Sequence, residues 1–162
     1  MEGNKRNMKP RALLVFGAPC SGKTTFGENF AKKFKLAFFD LDEIRGKYRL
    51  SHKLVMMLVE QLAKTRQDLV IEGELKTEKE RSEMRRVLLL AGYNPTLVWV
   101  QTDVSTLRTR LKSRFKTVAE AKSTYEKAIE CLEAPAEYEH PVVISGKHTF
   151  ETQAKHVLLG LK

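Results

Sequence analysis

The residues Gly17-Ala18-Pro19-Cys20-Ser21-Gly22-Lys23-Thr24 fit the pattern G-x-x-x-x-G-K-[ST], and Thr25 follows directly. The spacing has a chemical reason. Gly17 and Gly22 let the backbone turn tightly and approach an anion where a Cβ would intrude. Successive N–H groups of the loop and of the helix that follows then converge on phosphate. Lys23 can reach the β- and γ-phosphates of a nucleoside triphosphate, and the Thr24 hydroxyl can take one position on Mg²⁺. The flanks supply the context this chemistry needs. Ala12 to Phe16 is an apolar run that reads as a strand buried on both faces. Beyond the loop, Phe26, Phe30, Ala31 and Phe34 recur at helical spacing. The motif therefore sits as strand, loop and helix, and a nucleoside triphosphate is the ligand it predicts.

Other residues could do chemistry beside it. Asp40 and Asp42 end a second short strand read over Lys35–Phe39, at the sheet edge where α/β proteins collect their ligands. An extended backbone would put both on one face, one carboxylate for a metal's water shell and one for a substrate hydroxyl. Equally, they could cap a helix and fill its acidic first turn. Glu72 ends a third buried strand, Leu69-Val70-Ile71, and could orient water, hold a substrate group or face solvent. In the helix read over Asp103–Phe115, Arg110 and Arg114 are four apart beside Leu107, Leu111 and Phe115, while Arg108, Lys112 and Lys116 form another row. One arginine pair could meet phosphate; a solvated basic face is the other reading. The histidines at 52, 140, 148 and 156 show no metal spacing, and Cys20 and Cys131 are isolated, so no zinc site is expected.

The elements that must position these groups follow from periodicity. Ser51 caps a helix with apolar positions Leu54, Val55, Leu58, Val59 and Leu62. Thr77-Glu78-Lys79-Glu80 is a capping box for another, stopped by Gly92 and an Asn94-Pro95 turn. Thr96–Val100 and Val142–Ile144 read as the fourth and fifth strands. A helix through Val118 to Leu132 breaks at Ala134-Pro135, and a last one packs Phe150, Ala154, Val157, Leu158 and Leu161. Strands alternating with helices imply a parallel, doubly wound sheet.

A chain of 162 residues suits one domain over 11–162, preceded by a basic, poorly ordered tail at 1–10. The net charge of +9 points to an acidic partner (nucleotide, phosphorylated substrate or nucleic acid) or to a lysine-rich solvated surface, since 20 acids are interspersed. No apolar run has the length of a membrane span, no secretory signal opens the chain, and two cysteines make no disulfide framework. A monomer in the cytoplasm is expected.

With the motifs placed, the chain resembles the adenylate-kinase-like group of P-loop kinases, which includes shikimate, gluconate, polynucleotide and zeta-toxin-type kinases. Three stretches carry the resemblance: F-G-A-P-C-S-G-K-T-T, F-F-D-L-D-E-I-R, and D-x-x-x-L-x-x-R-L-x-x-R from Asp103 to Arg114. It implies a three-layer P-loop NTPase fold like that of nucleoside monophosphate kinases, with a five-stranded parallel sheet and a short helical lid at about 108–137. It implies ATP and Mg²⁺ as cofactors, and transfer of the γ-phosphate to a hydroxyl of a small molecule or a nucleic-acid end. Arg110 resembles the arginine that stacks on adenine, and Arg114 the lid arginine that meets the transferring phosphate. Asp40 corresponds to the carboxylate near Mg²⁺ and Asp42 to the acceptor-side aspartate. The D-x-x-R formed by Asp42 and Arg45 resembles that of polynucleotide kinases. On a short helix these two residues share a face and could hold one substrate together, which predicts an anionic acceptor, and Glu72 is a further substrate-binding candidate. Gly146 and Lys147 sit where this group lines its adenine pocket. Catalysis would then rest on Lys23, Asp42 and Arg114. Two departures are visible: Glu72-Gly73 is not the usual Walker B, and the glycine triad of shikimate kinases is missing. A GTP switch would need N-K-x-D, and an AAA-type machine a strand ending in D-E and a helical lid domain; the chain has neither set. A nucleic-acid-binding module has only the charge in its favour.

Overall fold

The apolar run ahead of the phosphate loop becomes the middle of the sheet. In the computed structural model, which describes residues 9–114 and 117–161, β1 (Arg11–Gly17) lies between β3 (Leu69–Glu72) and β4 (Asn94–Gln101). The edges are β2 (Ala37–Asp40) and β5 (Val142–Ser145), giving the order β2-β3-β1-β4-β5 with every pair parallel. Because side chains alternate across a strand, β1 feeds two cores. Ala12, Leu14 and Phe16 pack with Ile71 and Leu97 against α3 (His52–Ala63) and α4 (Glu78–Leu90). Leu13 and Val15 pack with Val70, Val98 and Ile144 against α1 (Lys23–Phe34) and α7 (Phe150–Gly160). Helices therefore cover both faces, the three-layer α/β architecture expected. The remaining α-helices among the described residues are α2 (Leu41–Tyr48), α5 (Val104–Arg114) and α6 (Val118–Glu130), the last two packed on each other.

The caps form where the side chains allow. The Ser51 hydroxyl accepts from the Leu54 N–H, and Thr77 and Glu80 complete their reciprocal box. Leu107 and Leu111 form a buried stripe on α5, as their spacing requires. Asp103 stands just outside α5 as its cap, accepting from the Thr106 N–H at 3.0 Å.

Three local readings are corrected. The second strand begins at Ala37, because Lys35 adopts the left-handed region (φ 55) and closes α1, while the Leu36 N–H returns to the Ala31 carbonyl at 2.8 Å. Asn94-Pro95 is no turn: Asn94 starts β4 and donates to the Pro10 carbonyl at 2.8 Å, and the buried Pro95 is its second residue, ahead of the pairing with β5 that begins at Val98, so a missing N–H costs no ladder bond there. Of the two readings of Asp40 and Asp42 the extended face is the one corrected: Asp40 ends β2 and caps α2, and Asp42 already lies in the acidic first turn of that helix. Phe115, Lys116 and residues 1–8 of the expected tail lie outside the described residues. Among the described residues no helix is long and apolar enough to cross a membrane.

Candidate functional site

β1 delivers the loop at the C-terminal edge of the sheet, and α1 leaves it with no side-chain cap. Gly22 takes the N-cap position at φ 99, a conformation in which a Cβ would be strained. Among the described residues no hydrogen bond takes the N–H groups of Gly22, Lys23 or Thr24. They remain for an anion at the positive end of the helix. The loop's carbonyls are engaged from outside instead. Thr102 Oγ1 donates to the Ser21 carbonyl at 3.0 Å. Arg110 donates to the carbonyls of Cys20 (3.0 Å), Ser21 (3.2 Å) and Gly146 (2.9 Å). One side chain of α5 thus clasps the phosphate loop to the β5–α7 turn.

Inside that clasp lies a cavity of about 460 Å³, walled by Gly22, Lys23, Thr24, Arg110, Gly146 and Phe150. Lys147 does not line it: its ammonium is 2.5 Å from Asp103 Oδ2, on a neighbouring cleft. Lys147 and Ser105, with the Thr106 N–H, hold the Asp103 carboxyl well below the usual carboxylate range. Removing the clasp should be costly to the ligand. Arg110→Ala removes the donor that the Cys20, Ser21 and Gly146 carbonyls share, leaving Ser21 with Thr102 alone, and is expected to weaken nucleotide binding by about 1–3 kcal/mol. Titration with a fluorescent ATP analogue checks this; wild-type affinity would show that the loop holds its shape unaided.

At the phosphate end, sequence distance hid a contact. Thr24 Oγ1 donates to Glu72 Oε1 at 2.9 Å, and Lys23 Nζ lies 3.3 Å from the same oxygen. Glu72 is 3% exposed, and its Oε2 is buried with no partner among the described residues. Burial pushes the Glu72 carboxyl up, against the pull of Lys23 and Thr24. Asp40 stands opposite Glu72 in the β2–β3 register, but its Oδ1 also caps α2, accepting from Glu43 at 2.9 Å.

Gly73 then turns the chain at φ 88, so close to α2 that a Cβ would come within 2.5 Å of the Asp42 nitrogen. The Asp42 carboxylate accepts from the Glu74 N–H at 3.1 Å and lies 3.2 Å from Lys76 Nζ. Arg45 does not pair with Asp42. Its Nη1 lies 2.5 Å from Glu74 Oε1, and His52 Nδ1 lies 2.5 Å from Glu74 Oε2. His52 Nε2 reaches Glu83 at 3.0 Å. Glu74, His52 and Glu83 were not singled out from the sequence, and no short-range pattern could have done so. Arg114 is the last residue of α5, one turn beyond Arg110; its side chain lies outside what the structure describes.

A strand–loop–helix phosphate cradle at the edge of a five-stranded parallel sheet defines a P-loop nucleotide-binding protein. The chain belongs to the AAA-domain family AAA_33, whose model matches residues 13–137. Solved structures with the same fold include a gluconokinase from Sinorhizobium meliloti 1021, 18% identical with a TM-score of 0.71, covering 96% of this chain and 93% of that one. The Mycobacterium tuberculosis APS kinase in complex with AMPPNP and APS is 15% identical with a TM-score of 0.68, covering 94% and 98%. Chaetomium thermophilum Kti12 in complex with ADP-AlF3 is also 15% identical with a TM-score of 0.68, covering 94% and 97%. At such identities the likeness is one of fold. No curated protein sequence matches the chain.

Proposed function

We propose that the protein is an ATP-dependent phosphotransferase that moves the γ-phosphate to a hydroxyl of an anionic acceptor. The observation that carries the reading is the convergence of Lys23 and Thr24 on one buried oxygen of Glu72, at the N-terminal end of α1 where Gly22 takes the cap with no side-chain hydrogen bond. The residues fit Mg²⁺: the Thr24 hydroxyl, the orphaned Oε2 of Glu72 and the neighbouring Asp40 carboxylate are the hard oxygen donors such an ion takes, together with waters and phosphate. When bound, Mg²⁺ neutralises charge on the phosphates.

The chain's own groups have distinct tasks. Lys23 and the loop N–H groups hold the β- and γ-phosphates, and Arg110 closes the adenine side with Gly146. Arg114 meets the charge that develops on the transferring phosphoryl group. The acceptor oxygen attacks the γ-phosphorus, the bond to the β-phosphate oxygen breaks, ADP leaves, and Asp42 takes the hydroxyl proton. Arg45 is 43% exposed and uses only one of its two Nη groups on Glu74, so donors remain for an anionic group beside that hydroxyl. The kinases among the structural neighbours support this reading, and a cytoplasmic monomer is its natural setting. A second reading, a nucleotide-driven ATPase with no acceptor, is favoured by Glu72, a carboxylate placed against Thr24 that could act on water.

The experiment compares ADP release with water alone and with hydroxyl acceptors, small anionic polyols and 5′-hydroxyl oligonucleotides among them. Asp42→Asn is expected to leave ATP binding intact and to cut transfer by roughly 10²–10⁴-fold, because an amide cannot accept the proton. If it transfers at the wild-type rate, the base lies elsewhere and Glu72 is next.

A further inference from the structure

Asp42 and Arg45 come from α2 and His52 opens α3, yet one residue of the β3–α4 connection holds all three. Glu74 is 2% exposed and stands in the left-handed region at φ 54. Its N–H donates to Asp42 Oδ1 at 3.1 Å, and its two carboxylate oxygens take Arg45 and His52 at 2.5 Å each. A side chain in that backbone region costs about 1 kcal/mol or more, and it persists only where the surroundings over-determine it. Burying a carboxylate between two cations is also a poor route to stability, because desolvation offsets much of the attraction. Neither cost is needed to connect a strand to a helix. Both are accounted for if the three groups must be held in one geometry.

We propose that Glu74 is the positioning residue of the acceptor half of the site: its N–H aims the Asp42 carboxylate, and its carboxylate fixes Arg45 and, through His52, the start of α3. The inference rests on the phosphotransferase reading and deepens it. Asp42 and Arg45 do not touch, and Glu74 is what sets the distance between the proton acceptor and the anion-recognising guanidinium.

The anchor depends on a proton. Both ring nitrogens of His52 face carboxylates, Glu74 from the connection and Glu83 from α4, and only the imidazolium has two N–H groups to give. From α2, Arg45 shares Glu74, and Asp42 faces Arg45, as does Glu80 of α4. The bonds to Glu74 and Glu83 hold His52 protonated above the ordinary histidine range. When it does lose its proton, one of the two carboxylates loses its bond and the hold on α3 is released. The acceptor half therefore loosens as pH rises through the elevated histidine pKa, and not below the ordinary value of about 6.5.

The test uses the full chain with Glu74→Gln, in which an amide N–H must point at one of the two cations. Three quantities are read: affinity for a fluorescent ATP analogue, ADP release with water, gluconate and a 5′-hydroxyl oligonucleotide as acceptors, and the NMR titration of the His52 ring. Nucleotide affinity is expected to hold. ADP release should fall by up to about 10²-fold with every acceptor wild type uses, water included, as for a misplaced reacting group. The alkaline limb of its pH profile should move down together with the His52 titration. Wild-type ADP release with a wild-type pH profile in the folded variant overturns the proposal, and so does a His52 titration that stays in place. Should Glu74→Gln not fold, Glu83→Gln removes only the outer carboxylate. It is expected to lower the His52 titration and the alkaline limb by a smaller step, and no movement of either again overturns the proposal. The failures are distinguishable: unchanged ATP affinity in Lys23→Ala removes the phosphotransferase reading, while the His52 titration still decides whether Glu74 is the anchor.

Discussion

Lys23→Ala is expected to abolish measurable Mg·ATP turnover and to cost binding of the triphosphate about 2–4 kcal/mol, the loss typical of a preorganised electrostatic donor. Two effects add. The ammonium that would lie on the phosphates disappears, and Glu72 loses the cation 3.3 Å from its Oε1. Burial already pushes that carboxyl up, and without Lys23 the strongest pull against that rise is gone. Glu72→Gln separates the two. The amide oxygen can still accept from Thr24, so nucleotide affinity should change little, while ADP release falls with the missing charge. The measurements are analogue titration and ADP release, with circular dichroism to confirm the fold. A folded Lys23→Ala variant that binds and turns over ATP normally would remove the nucleotide reading altogether.

The second large effect is on stability. Arg81→Ala should destabilise the domain by about 3–5 kcal/mol, as when one partner of a buried ion pair is removed. Arg81 is 0% exposed; its Nε and Nη2 lie 2.8 and 2.9 Å from the two oxygens of Glu139. Its Nη1 donates to the carbonyls of Leu75, Lys76 and Glu133, and the guanidinium lies 4.9 Å from the centre of the Phe16 ring. Alanine leaves a buried carboxylate and a set of carbonyls without donors. Arg81 holds the Glu139 carboxyl below the usual glutamate range. The sign follows from that depression. The pair's contribution is complete above the ordinary value of about 4.3 and fades as pH falls through the lowered one. Urea denaturation should therefore show a gap between wild type and Arg81→Ala that is full at pH 7 and shrinks in acid. A gap below about 1 kcal/mol at pH 7 would mean that the network contributes no more than exposed pairs do. Exchanging Arg81 and Glu139 together for apolar residues should cost less than either alone.

Local chemistry was readable from the chain and distant chemistry was not. The phosphate loop announces itself because its glycines, lysine and threonine act within eight consecutive residues. Ser51 and Thr77 are equally visible, since a cap bonds three residues ahead. Alternation failed to mark β1 and β3, which are buried on both faces, and a run of apolar residues had to serve. Pro95 misled because proline usually means a turn, whereas a strand's first residues tolerate it. The candidate site was half legible. Glu72 meets Thr24 across 48 residues, Arg45 meets Glu74 across 29, and Arg81 meets Glu139 across 58. No spacing rule reaches that far. The pairing of Asp42 with Arg45 on one helix face was sound as helical geometry, but a carboxylate from another element took the guanidinium.

The central place of β1 has a consequence for how the protein comes into being. The strand that carries the phosphate loop is made first, yet both its neighbours, β3 and β4, are encoded well downstream. At ordinary synthesis rates it waits on the order of ten seconds for them. During that interval Ala12 to Phe16 is an apolar segment with two open edges, the kind of stretch that chaperones hold and that aggregates when they do not. The basic residues just before it, Lys5, Arg6, Lys9 and Arg11, keep that nascent segment charged at its boundary.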